Sequence, residues 1–408
     1  MAWAMYDWAN SAYATTVMAG FFPTFFRQYW SSGAEATTTT WRLGLANGVA
    51  GFLIAVLAPL LGALADRSMR RKQFMFGWTV FGALATMAMF LVGQGHWVLA
   101  ALCFCCGTLG FNGGIVFNDA LITHVAEPRD YDRVSALGYA CGYLGGGLLF
   151  ALNVAMTVKP AWFGLSGAAD AVRWSFLTVG VWWIVFTLPA MRWVHERGSA
   201  DSHASLADSL RELRRTIRAI AGYRPLWLFL LAYWLYIDGV NTVIKMAVDF
   251  GLSLGLPAAS LLGALLLTQF VAFPAAIAFG HYGSRYGARR AVLLGIAVYA
   301  GLSLYALWLH TVAEFWVMAV VVGLVQGGVQ SLSRSLYARY VPAGKSAEYF
   351  GFYNMVGKFA TVLGPVLIGL TASLTGDARH AIASVALLFI AGGVLLWRVQ
   401  DQPAGSSA

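Results

Sequence analysis

Twelve apolar runs of about twenty residues follow one another along the chain, at roughly 4–27, 42–65, 74–93, 97–119, 134–157, 173–193, 225–247, 258–280, 291–309, 314–337, 348–371 and 376–397. Each can cross about 30 Å of hydrocarbon as a helix. In hydrocarbon every backbone N–H and C=O must be paired inside the protein, and a lone apolar run achieves that only as a helix. Composition agrees: 59% of residues are hydrophobic and 11% charged, against about 25% charged in a soluble domain. The runs leave no room for a soluble domain. The first carries Asp7 and leads into a second, so it reads as a membrane span and not as a cleavable signal.

Charge orients the spans. Connections after even-numbered spans hold Arg67, Arg70, Arg71 and Lys72, then Arg129 and Arg133, then the arginines from Arg192 to Arg224, then Arg285, Arg289 and Arg290, then Arg339 and Lys345. Connections after odd-numbered spans hold few, such as Lys159 and Arg379. The positive-inside rule places the first set, and both termini, in the cytoplasm. The expected location is a bacterial inner membrane, crossed many times. The net charge of +9 follows from this topology, and no nucleic-acid partner is expected.

The longest connection, 194–224, divides the chain into an N-terminal bundle (1–193) and a C-terminal bundle (225–408). Within it Leu206, Leu210, Leu213, Ile217 and Ile220 form one stripe of an amphipathic helix, and Arg211, Arg214, Arg215 and Arg218 crowd the other side. Ser205 with Asp208 resembles a capping box. The helix is expected to lie on anionic headgroups; a regulatory binding site is the alternative.

The halves are related. Gly62, Arg67, Arg71 and Lys72 after span 2 match Gly280, Arg285, Arg289 and Arg290 after span 8 at one constant offset, and Gly113-Gly114 corresponds to Gly327-Gly328. Such repeats mark transporters that hold solute between halves near the midplane.

The run from Gly62 through Asp66-Arg67 to Arg71-Lys72 resembles the signature loop of the major facilitator superfamily. Tyr6-Asp7-Trp8-Ala9-Asn10-Ser11 and Gly327-Gly328-Val329-Gln330-Ser331-Leu332-Ser333-Arg334-Ser335, with Glu348-Tyr349-Phe350-Gly351 and Gly357-Lys358-Phe359, are similar to its vacuole-effluxer-like branch, also called the unknown major facilitator family. The resemblance implies an all-α membrane protein of twelve transmembrane helices in two six-helix halves. It also implies that Asp66 and Arg70, beside Arg67, brace the cytoplasmic helix ends in one alternating-access state. Met69 stands where the loop usually has Gly, and Ser284 where the second copy would have Asp. Fungal vacuolar members are associated with amino-acid export.

Polar residues inside spans are costly and usually face a cavity or a partner. On span 7, Asp238, Asn241, Lys245 and Asp249 share one stripe. They read either as a cavity lining, with Asp238 titrating protons and Lys245 answering it or a solute carboxylate, or as a Lys245–Asp249 pair one turn apart near the outer surface. Span 1 carries Asp7, Asn10 and Ser11, placed at a cytoplasmic vestibule, gate or simple helix cap. Span 4 carries Asn112, Asn118 and Asp119; span 5, Tyr139 and Tyr143; span 8, Gln269; span 10, Gln326, Gln330, Ser333 and Arg334; span 11, Asn354 and Lys358. Spans 1, 4, 7 and 10 line the cavity in the superfamily. Lys358 and Arg334 would suit an anionic or carboxylate-bearing solute, unless Arg334 only snorkels to the interface. Glycine repeats at Gly44, Gly48 and Gly51 and at Gly138, Gly142 and Gly145 permit close packing, and Gly364-Pro365 is expected to kink span 11.

Cys103, Cys105, Cys106 and Cys141 read as small packing residues; the seven His are scattered. No catalytic constellation, metal site, cofactor or nucleotide-binding loop is expected, so the chain does not read as an enzyme. The expectation is a monomeric secondary transporter moving a small polar solute, amino-acid-like or carboxylate-bearing, by alternating access, with protons as coupling ion and the lipid bilayer as surroundings. A lipid or amphiphile translocator would instead show a lateral opening with an apolar wall. A non-transporting sensor or scaffold would show a collapsed interior with its polar residues mutually paired.

Overall fold

A computed structural model describes residues 1–196 and 206–399. Helix α1 covers 4–30. It is followed by α2 (Ala36–Ser68), α3 (Arg71–Leu91), α4 (Trp97–Val125), α5 (Tyr131–Val158) and α6 (Ala168–Trp193). The linker helix α7 is Leu206–Gly222. Then come α8 (Arg224–Ser253), α9 (Ala258–Tyr286), α10 (Ala288–Trp308), α11 (Val312–Ala338), α12 (Ser346–Thr375) and α13 (Ala378–Arg398). Spans 1–6 are α1–α6, and spans 7–12 are α8–α13. No strand occurs among the described residues.

Eleven of these helices are long and apolar enough to cross a membrane. The twelfth, α1, is interrupted: Tyr13–Phe21 and Phe26–Trp30 are π-helical, and Pro23 between them removes a donor from the ladder. Exposed tryptophans mark both rims. Trp41, Trp162 and Trp308 lie at one end, Trp193, Trp227 and Trp397 at the other, as expected at the two interfaces of a bilayer. The second end carries the arginine-rich connections and is called the basic end below.

Lipid gives helices no hydrophobic reason to associate, so packing and buried polar contacts must hold the bundle. The buried core shows where they do. At the basic end one continuous apolar cluster joins the halves, from Trp3, Tyr6 and Phe117 to Phe229, Tyr337 and Phe350. Toward the opposite end it divides into a cluster around Phe22, Trp30, Phe104 and Trp183 and another around Phe250, Leu261, Phe315 and Met318. There α2 and α12 stand free: Gly44, Gly48, Gly51 and Gly369 have open space where a side chain would be. The bundle is closed at the basic end and parted at the other between α2 and α12.

On α7, Thr216 and Ile220 are buried against the bundle, while Arg211, Arg214, Arg215 and Arg218 are exposed. Ile217, expected on the apolar stripe, is also exposed. Ser205 lies outside the described residues, as do the side chains of Leu206, Asp208 and Leu210.

Candidate functional site

The basic end is closed by backbone contact. α2 meets the start of α12 where Gly62 lies against Ala347 and Glu348, and where Gly351 lies against Ala58 and Pro59; a Cβ at either glycine would overlap the neighbour's main chain. Asp66, at the end of α2, fixes the meeting. Its Oδ1 accepts from Ala347 N–H at 2.9 Å and its Oδ2 from Glu348 N–H at 2.8 Å. These are two of the unpaired donors at a helix start, which attract a carboxylate.

Arg70 was expected beside Asp66, but Arg71 takes that place. Its Nε donates to Asp66 Oδ1 at 2.7 Å, while Arg70 is exposed. The cause is Met69, which ends α2 at φ 50°. That left-handed turn costs a non-glycine residue roughly 1–2 kcal/mol and turns the chain so that residue 71 faces back; Met69 Sδ then accepts from Arg71 Nη1 at 3.2 Å. Glu196 accepts from the N–H groups of Arg71 and Lys72, at 3.1 and 2.8 Å. Arg67 lies in the same loop. In the second half, Ser284 accepts only from Arg133 Nε, at 3.2 Å. The acid comes instead from Asp132 on α5, which accepts from Ser335 Oγ and from Arg339 Nη2 at 2.8 Å.

One layer deeper the halves meet through charge. Arg334 of α11 is 1% exposed. Its Nη1 donates to Asp119 Oδ1 at 2.9 Å, its Nη2 reaches Asp7 Oδ2 at 3.4 Å, and its Nε and Nη2 donate to the Ser135 hydroxyl and carbonyl at 2.8 and 2.9 Å. The guanidinium also lies over the rings of Trp3 and Tyr139. Asn354 donates to Asp119 Oδ2 at 3.1 Å, and Asn118 to Asp7 Oδ1 at 3.3 Å. Thus α1, α4 and α5 are tied to α11 and α12 through one buried cation. Gly138 makes room for it, since a Cβ there would overlap Asp7 Oδ2. Arg334 does not snorkel.

Further toward the open end, Tyr143 donates to Gln330 Oε1 at 2.7 Å and accepts from Gln326 Nε2 at 3.2 Å. Gln269 packs on Gly147. Asn10 is buried near Tyr6, and Asn112 turns back onto the Thr108 carbonyl of its own helix.

The α8 stripe does something the sequence did not disclose. α12 is broken: Ser346–Phe359 and Leu363–Thr375 are separate helical pieces. Asn241 donates to the Ala360 carbonyl at the end of the first piece, at 3.2 Å. Asp238 accepts from Leu363 and Gly364 N–H at the start of the second, at 2.9 and 3.0 Å, and from Thr242. Gly364 touches Thr242, and Pro365, within the first turn, has no N–H to lose. Asp238 is fully buried and serves as a cap; it faces no open space in this conformation. Asp238→Ala should lower stability by about 1–2 kcal/mol and Asp238→Asn by less, since the amide oxygen keeps one acceptor. Thermal unfolding of the purified variants checks this.

Lys245 and Asp249 make no ion pair among the described residues. Lys245 is exposed on α8 and Lys358 half-buried on α12; neither has a hydrogen-bond or ion-pair partner there. The two are close enough to repel one another, and Lys358 also feels Asp119. Sequence reasoning passed over Ser135 and Asp132, and named Ser335 only as part of the motif from Gly327 and not as a site residue.

The family model described as "Vacuole effluxer Atg22 like" matches residues 43–406. The chain belongs to that family. It is 37% identical over 404 residues to the uncharacterized MFS-type transporter YxiO of Bacillus subtilis, covering 98% of this chain and 94% of the relative. It is 23% identical to autophagy-related protein 22 of Pichia angusta, covering 86% and 73%. The fold superposes on the proton:xylose symporter XylE with a TM-score of 0.71 at 11% identity, covering 98% and 94%. The protein is a multi-pass membrane transporter of the major facilitator type.

Proposed function

We propose that this transporter moves a small, carboxylate-bearing polar solute by alternating access, coupled to protons. The bundles 1–193 and 225–408 would rock about the solute, joined by 194–224, with the basic end in the cytoplasm of a bacterial inner membrane. The observation that carries the reading is the pair Lys245 and Lys358. The gate cation Arg334 is already answered by Asp7 and Asp119. The two lysines make no close ion pair among the described residues, and Asp238 and Asp119 act on them only from a distance. An ammonium half-buried among the spans, as Lys358 is, favours an anion more than one in water does, and a solute carboxylate supplies one.

A thermal-shift screen of amino acids, dicarboxylates and other organic anions should give hits, and uptake of a hit into proteoliposomes should follow an imposed pH gradient. Lys358→Gln is expected to raise KM for that solute about tenfold or more, the scale of one lost charge-assisted contact, with a smaller change in kcat. An unchanged KM would remove Lys358 from the site.

A second reading has one observation in its favour. The gap between α2 and α12 exposes Phe52, Val56, Val366 and Leu370, an apolar wall open to the side. An amphiphile with an anionic head could enter there. Competition by long-chain but not short-chain carboxylates would favour that cargo.

A further inference from the structure

We propose that Asp7, and not Asp238, receives the coupling proton. The proposal rests on the alternating-access reading above and assigns its coupling site.

Three carboxylates lie buried or half-buried within the spans: Asp7, Asp119 and Asp238. A charge held inside a membrane bundle is costly, so the coupling proton goes to the carboxylate that loses least by taking it.

The contacts decide which acid. Asp238 holds two main-chain N–H groups at 2.9 and 3.0 Å; protonating it would cost part of the cap of the second α12 piece. Asp119 is held by Arg334 at 2.9 Å and by Asn354 at 3.1 Å. Every contact to Asp7 is longer: 3.4 Å from each of Arg334 Nη1 and Nη2, and 3.3 Å from Asn118. Asp7 is also the most accessible of the three carboxylates. It therefore loses least on becoming a carboxyl. Arg334 keeps Asp119 as its counter-ion, so the cation is not orphaned.

The groups facing Asp7 are Arg334 from α11, Asp119 from α4, Tyr139 and Cys141 from α5, and Tyr6 on its own helix. Asp119 repels the Asp7 charge and Arg334 attracts it, while the tyrosines and the thiol are neutral. As pH falls, Asp7 takes up a proton, its pull on Arg334 goes, and the link between α1 and α11 weakens. The basic end then parts more easily.

The test uses the full chain in nanodiscs, with the native cysteines replaced by Ser and spin labels at Arg129→Cys and Ala343→Cys. Both positions are exposed at the basic end, one on each half. The label separation should shift toward longer distances as pH is lowered from neutral to mildly acid. Asp7→Asn should show the acid-like distribution at every pH. Asp119→Asn and Asp238→Asn should still respond to pH. A pH response in Asp7→Asn like that of the unsubstituted protein overturns the proposal, as does an unsubstituted protein indifferent to pH. Labels that part with solute but ignore pH refute Asp7 alone. Labels that never part under any condition refute alternating access and this proposal with it.

Discussion

Replacing Arg334 with Gln should destabilise the transporter by about 3–5 kcal/mol and abolish uptake, because it leaves two buried carboxylates facing each other without a cation. The effect should be largely reversed by a second change. In Arg334→Gln with Asp119→Asn, only Asp7 remains charged. It is the least enclosed of the three and can take up a proton, so the double variant should recover most of the lost stability. Thermal unfolding of the four proteins in detergent forms a double-mutant cycle. A coupling energy near zero would mean that Arg334 and Asp119 act independently, and the gate would need another explanation.

Gly62→Val should produce the opposite kind of change, leaving the fold intact but shifting its conformation. The added side chain falls on the Ala347 carbonyl, which is main chain and cannot rotate aside. Overpacking of this kind costs about 1–3 kcal/mol, and here the cost falls only on the conformation closed at the basic end. With roughly tenfold in population for each 1.4 kcal/mol, the bundle should spend about tenfold or more less time parted at the far end. Asn47→Cys lies on the exposed part of α2 there. Its reaction with a membrane-impermeant maleimide should slow accordingly, while the thermal unfolding temperature stays near that of the parent. Unchanged labelling would show that α2 and α12 tolerate separation at Gly62 without opening.

Much of this arrangement is readable from sequence. Each span announces itself because a membrane helix must be apolar over a fixed length, and the polar exceptions are visible because they are expensive. Asp7, Asp119, Arg334 and Asn354 could all be picked out for that reason. Their pairing could not, since Arg334 lies 327 residues from Asp7 and 215 from Asp119 and no local pattern reports such a contact. Asp238 and Asn241 illustrate the converse. Their shared stripe was evident and suggested a cavity lining, yet what they face is set by a break in another helix. Gly364-Pro365 hinted at a kink, but the ends it would leave open at Ala360 and Leu363, and which side chains would meet them, depend on tertiary packing. Arg71 replaced Arg70 through a single left-handed residue, Met69, whose backbone angle is not encoded by its side chain.

The break in α12 also has a mechanical meaning. Its first piece is bolted to the N-terminal half through Gly351 and Asp66, whereas its second is bolted to α8 of its own half through Asp238. A rigid rod fastened to two bodies would have to bend or tear when those bodies rotate against each other. Two short rods joined at 360–362 behave like a shaft with a universal joint, passing on the push of one half while absorbing its twist.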